Sequence, residues 1–274
     1  MPSKRVEGRI TSLRAGIRDG YLTFYCAGQQ IAYVKCSERQ FFEKAHHKYL
    51  GLEKPAGDPN IRVPRVAAGL IGAELSKRIR RSFEWQGKEK IFVDELAGAN
   101  ANVFDLELAL SYSAPQRPRP VALRLDLAAL EPDRDGWRIA LWEAKRTRDG
   151  RVKARGVPLT VEQHRNYAEW LYQATNAEDF IKATRESCRA LVRLHELATV
   201  AGNDDCGSLG DGIVAVGSDP EVKLTLDRDV RYVIDARDDK RGTFVENGHD
   251  IKLREVAGTV QVIAQDQSFA LQSP

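Results

Sequence analysis

Long apolar runs, paired cysteines and a clear excess of one charge are all missing from this sequence of 274 residues, and each absence removes a class of protein. Runs such as Gly212–Val216 stop far short of the roughly 20 apolar residues that a bilayer span requires. The opening Met1-Pro-Ser-Lys-Arg-Val-Glu has no apolar stretch behind its charges, so we expect no signal peptide, no membrane contact and a cytoplasmic location. The four cysteines, Cys26, Cys36, Cys188 and Cys206, make no C-x-x-C pair and have no histidine at zinc-ligand spacing. Reduced thiols and no structural zinc are expected. Forty-two Lys+Arg against 39 Asp+Glu leave a net charge of +3, too little to imply a polyanionic partner by itself. No repeat or low-complexity segment is visible, which excludes solenoids and arrays.

What is present is a globular composition, 42% hydrophobic and 30% charged, long enough for one large domain or two small ones with a core that needs no staples. Charge is distributed unevenly. Between Arg138 and Arg155 seven cations stand against two anions, Glu143 and Asp149. Residues 1–60 read as a β-rich extension, with strands at Tyr21–Cys26 and Ile31–Lys35, a short helix at Phe41–Leu50 and a Gly/Pro-rich boundary at Gly51–Asn60. Leu70, Ile71, Leu75, Ile79 and Phe83 then recur at helical spacing, with Lys77, Arg78, Arg80 and Arg81 opposite them. Strands are predicted at Val103–Tyr112, Val121–Leu130 and Trp137–Lys145, followed by helices from Thr160 to Thr175 and Glu178 to Val200. A buried strand at Gly212–Gly217, strands at Arg231–Asp235 and Thr259–Ala264, and a helix near Ile251–Val256 complete the pattern. This order predicts an α/β fold, a mixed sheet flanked by helices, with a core at 61–220 and residues 221–274 extending its sheet.

One segment carries chemistry. Asp133-Arg-Asp-Gly136 has the residue preferences of a type I turn, so the flanking strands form a hairpin in which facing residues sum to 269. Asp126 then faces Glu143, and Lys145, two residues on, shares the Glu143 face. Two opposed carboxylates on an apolar row with Ile139 and Leu141 cannot both stay charged without a compensating cation. Mg²⁺ or Mn²⁺ suits such oxygen donors, and a lysine beside it suits water-mediated attack on a phosphodiester.

Asp126 followed by Glu143-Ala144-Lys145 resembles the D…(D/E)-x-K signature of the PD-(D/E)XK, restriction-endonuclease-like nuclease superfamily, whose core runs helix, three strands, helix, strand. Gln163-His-Arg-Asn-Tyr167 resembles the Q-x-x-x-Y motif of its RecB/lambda-exonuclease-like branch, and i, i+4 spacing puts both ends on one helical face. The resemblance implies a metal-dependent DNA nuclease serving defence or DNA processing. It implies that Asp126, Glu143 and the Ala144 carbonyl hold Mg²⁺ or Mn²⁺, that Lys145 positions the attacking water, and that Gln163 and Tyr167 support the scissile region. The branch often has a glutamate on its first core helix, and Glu74 is the match here. Cys188 and Cys206 are spaced too widely for the iron–sulfur cluster of some relatives, so none is expected. The proline of the signature is absent, since Leu125 precedes Asp126.

Arg146, Arg148, Arg151, Lys153 and Arg155 leave the last hairpin strand beside Lys145 and are the expected phosphate contacts. A second E-x-K, Glu221-Val222-Lys223, has no facing hairpin and reads as chance. Asp105 and Glu107 alternate on the first core strand and read as a solvent face, the alternative being groups that support the site residues from behind, and His46-His47 read as surface residues with no metal role. The alternative to the nuclease is a nuclease-fold module, without hydrolysis, that binds nucleic acid or a partner protein. A homo-oligomer assembled through residues 1–60 is a further option.

Overall fold

The computed structural model describes residues 3–6, 9–18, 20–37, 40–63, 72–112, 121–153, 160–202 and 207–272. β1 (Ser3–Val6) and β2 (Arg9–Ser12) form a small antiparallel ribbon. β3 (Arg14–Arg18), β4 (Tyr21–Cys26), β5 (Gln29–Ser37), β6 (Gln40–His46) and β7 (Asn60–Val63) follow as an antiparallel sheet in sequence order. Only His47–Leu50 (α1) is helical in the stretch predicted as a helix from Phe41. The cause is a strand alternation disguised by charge: Glu43 and Ala45 point inward and are buried, Phe42, Lys44 and His46 outward. Glu43 can be inward because Arg78, itself only 3% exposed, pairs with it. Arg78 is therefore not on the solvent side of its helix.

That helix, α2 (Gly72–Glu84), lays Leu75, Ile79 and Phe83 on Cys26, Ile31 and Tyr49. Leu70 and Ile71 lie outside the described residues. The boundary read at residue 60 does not separate packed units, because β7 and α2 both belong to the N-terminal sheet.

The helix serving the second sheet is α3 (Lys88–Ala99), which was not predicted. Its Phe92, Val93, Leu96 and Ala97 cover one face of β8 (Val103–Tyr112), β9 (Val121–Asp133) and β10 (Gly136–Arg146). After α4 (Thr160–Leu171), α5 (Ala174–Val200) and α6 (Asp211–Ser218) come β11 (Lys223–Asp235), α7 (Thr243–Glu246), α8 (His249–Ala257) and β12 (Val260–Ile263). The sheet order is β12-β11-β10-β9-β8, with β8–β10 antiparallel and β10, β11 and β12 mutually parallel. The C-terminal strands thus extend this sheet, as expected, and a mixed α/β architecture is present.

Gly212–Gly217 is helical, not a strand. Gly212 and Gly217 let α6 press against Trp137 and the Cys188 backbone, and Ile213 and Val216 join the core with Tyr167, Trp170, Phe180 and Leu191. The hairpin register holds: Asp133 pairs with Gly136 and Leu127 with Trp142, so facing residues sum to 269. Gly136 is required there, since a Cβ would strike the Lys223 backbone where β11 joins. Cys26 and Cys188 are free and buried; Cys206 lies outside the described residues. No helix among the described residues is long and apolar enough to cross a membrane.

The two sheets are joined at β3 and β8. Arg18 donates to both Asp105 carboxylate oxygens, at 2.8 and 3.0 Å, and to the carbonyls of Leu106 and Glu107. Asp105 is buried, which overturns its reading as a solvent-facing residue.

Candidate active site

The β9–β10 ladder ends at the Leu127–Trp142 pair. One step on, the Ala144 amide donates not to a backbone carbonyl but to the Asp126 carboxylate, at 2.9 Å. The strands therefore part where the two acids stand, and the gap between them is filled by the Lys145 ammonium. Its Nζ donates to Glu143 Oε1 and, at 3.2 Å, to the Ala144 carbonyl, and lies 3.8 Å from Asp126 Oδ2. Glu143 and Lys145 are each 2% exposed, while the Asp126 side chain keeps 13%. The site is an internal one with a narrow opening on the Asp126 side.

This environment sets the protonation states. Burial and the nearby Asp126 push the Glu143 carboxyl up to about 7, despite the opposing pull of Lys145. Burial disfavours the Lys145 ammonium, yet Glu143 and Asp126 outweigh that and hold its pKa above the ordinary lysine value. Lys145 is a fixed positive charge, and Glu143 is the group that can change charge near neutral pH.

Gln163 and Tyr167 come from α4 and close the site from its inner side. Gln163 Nε2 donates to Glu143 Oε1 at 2.9 Å and to the Tyr167 hydroxyl at 2.6 Å. That hydroxyl lies 3.1 Å from Glu143 Oε2 and within hydrogen-bond reach of the Arg124 carbonyl. Burial, then Glu143, raises Tyr167 well above the phenol range, so it remains a neutral donor. Tyr167 is fully buried and packs in the core while its hydroxyl meets Glu143. Both side chains meet the Glu143 carboxylate from the α4 side.

The other expected positions are spread more widely. Glu74 is exposed on α2, bonded to Lys77 at 2.6 Å, on the helix that serves the other sheet; it is not part of this site. The acid at the first turn of the helix that does pack here is Glu89 on α3. Its charge reaches Lys145 and Arg151 and favours both cations. The signal that would have found it is the Phe92, Val93, Leu96, Ala97 stripe, which marks a helix opening at Lys88.

Of the basic loop, Arg146 pairs with Asp235 and Asp238, and Arg138, at the run's start, with Glu131. Arg151 holds Asp149 through a backbone and several side-chain bonds. Arg151 nonetheless stands close enough to Glu143 for that charge to favour it. Arg148 is exposed, Lys153 lines a small basic hollow with His249 and Lys252, and Arg155 lies outside the described residues. Arg146 and Arg151 are thus already paired, Arg151 with its side chain still 47% exposed, and Arg148 and Lys153 are the loop cations with no ion pair among the described residues.

The donor set fits a hard divalent ion: two carboxylates and a backbone carbonyl converge on one point, and that point already attracts a cation, the Lys145 ammonium. Among the described residues no group of three or more His, Cys, Asp or Glu side chains is arranged to hold a metal, so the Ala144 carbonyl and water would complete any coordination. Comparison with protein-family models, with curated proteins and with solved structures returns no match.

Proposed function

We propose that the chain is a Mg²⁺- or Mn²⁺-dependent nuclease that hydrolyses DNA phosphodiester bonds, with a core of the restriction-endonuclease-like kind. The carrying observation is the parting of β9 and β10 at Asp126 and Glu143, with a buried, permanently charged Lys145 bonded between them. The order α3, β8, β9, β10, α4, α5, α6, β11 supports the core assignment, because it contains the helix, three strands, helix, strand sequence of that superfamily with two further helices before the last strand.

In this reading Asp126, Glu143 and the Ala144 carbonyl hold the ion. A bound ion would neutralise charge at the phosphate and lower the pKa of water. The Lys145 ammonium, held beside both acids, would donate to the attacking water or to a phosphate oxygen as negative charge develops on it. Gln163 and Tyr167 hold Glu143 in one orientation, and Arg151 meets a backbone phosphate at the opening. A role in defence or DNA processing follows from the class of enzyme and not from these residues.

Cleavage of plasmid and oligonucleotide DNA with Mg²⁺ or Mn²⁺ tests the proposal. Activity should be lost with EDTA and in Asp126→Asn and Lys145→Ala. Tight DNA binding with no cleavage under either ion would establish the non-hydrolytic module instead.

A further inference from the structure

The sheet β3–β7 has two faces of different chemistry. One is apolar and covered by α2. The other presses Gly16 and Tyr25 towards Asp105 at its inner end, and beyond that it is open. On this open part rings and cations alternate: Tyr21, then Tyr33 and Lys35, then Phe42 and Lys44, on three neighbouring strands. The Tyr21 and Tyr33 ring centres are 4.9 Å apart and those of Tyr33 and Phe42 6.4 Å, and the Arg62 guanidinium stands over Phe42 at 5.2 Å. The solvated face of an antiparallel sheet is ordinarily polar. A row of half-buried rings set among lysines is a stacking surface for flat groups joined by anions.

This surface is one wall of a groove of about 740 Å³ whose other wall is built by Lys90, Glu107 and Arg124. Five cations, Lys35, Lys44, Lys48, Lys90 and Arg124, line it against two carboxylates, Asp58 and Glu107. Lys44 lies 3.5 Å from Asp58, and Lys90 pairs with Glu107. Lys35 and Lys48 have no carboxylate partner among the described residues. Burial, and then the charge of Lys90, hold Lys48 below the ordinary lysine range. The groove ends close in the chain to the acids: Arg124, which lines it, stands two residues before Asp126 on β9, and Lys90, which also lines it, follows Glu89 on α3.

We infer that this groove binds single-stranded DNA, its phosphates on Lys35, Lys44, Lys48, Lys90 and Arg124 and its bases on Tyr33 and Phe42, and leads the strand to Asp126 and Glu143. The inference rests on reading that site as a DNA nuclease. Unpaired bases are required because a duplex keeps its ring faces stacked inside and offers none to Tyr33 or Phe42.

The test is equilibrium binding of fluorescent oligothymidine to the full chain in EDTA, across a salt series, beside a blunt duplex and oligouridine of equal length. Oligothymidine should bind more tightly than either. Tyr33→Leu combined with Phe42→Leu should weaken it about tenfold or more. Lys35→Gln, at a side chain with no ion pair to lose, should lower the log–log salt slope by about 0.7 and keeps the test valid if the ring variant misfolds. Unchanged affinity and slope in the folded variants overturn the groove, as does tighter binding of the duplex or of oligouridine. Groove-dependent binding by a protein that cleaves nothing with Mg²⁺ or Mn²⁺ supports the groove and removes the nuclease reading.

Discussion

At the scale of single residues, the site is governed by the unequal fates of its charges. Lys145 is held charged, whereas Glu143 is poised near neutrality by burial and Asp126. An ion must compete with the Glu143 proton, so Mn²⁺ affinity and cleavage should rise with pH through about 7 and then level off, as read by calorimetry and rate. The stability of the ion-free protein should run the other way. Because the folded pKa lies above the ordinary 4.5, proton binding favours the native state. That contribution is complete below 4.5 and disappears as pH rises through about 7, so the melting temperature in EDTA should fall across this window and Mg²⁺ should restore it at the upper end. Tyr167→Phe removes one donor while preserving the ring in the core. It should reduce metal affinity or cleavage about 10- to 100-fold with little change in unfolding midpoint, the signature of a group that orients a ligand-bearing side chain.

At the scale of elements, legibility followed the strength of local rules. The hairpin was readable because a turn with Asp first and Gly fourth fixes the register, and one register brings Asp126, Glu143 and Lys145 together. Gln163 and Tyr167 came from the resemblance to the Q-x-x-x-Y motif, and helical spacing added only that both ends share one face. The α6 segment was not, because a short apolar run looks the same in a buried helix as in a buried strand. β6 misled through Glu43, an inward acid whose partner Arg78 lies 35 residues away. α3 was missed although Phe92, Val93, Leu96 and Ala97 recur at helical spacing, and with it went Glu89, whose charge favours the Lys145 ammonium. Glu89→Gln should therefore lower metal-dependent cleavage, by about tenfold, while Glu74→Gln, on a helix that serves the other sheet, should leave it unchanged. Equal loss in both would return Glu74 to the site.

At the scale of the whole molecule, the buried Arg18–Asp105 pair is one of several ties between the two sheets, beside the Ser187 hydroxyl on the Ile17 carbonyl and the Arg14–Asp94 pair. Arg18→Ala would strand Asp105 without its cation, and burial already pushes that carboxyl above its usual range. Urea unfolding should show a loss of about 3–5 kcal/mol, with part recovered in Arg18→Ala combined with Asp105→Ala. No local pattern announces such a contact, since its partners are 87 residues apart. The strand order has a further outcome for biosynthesis. β10 lies in the middle of its sheet, yet its parallel neighbour β11 is formed by residues near the end of the chain. While the nascent chain is still being made, β10 is an open edge on its β11 side, even though the side-chain partners of Glu143 and Lys145 all precede β11 in the chain. Until β11 is made that edge invites intermolecular pairing, so truncations before Asp235 should aggregate, as read by light scattering.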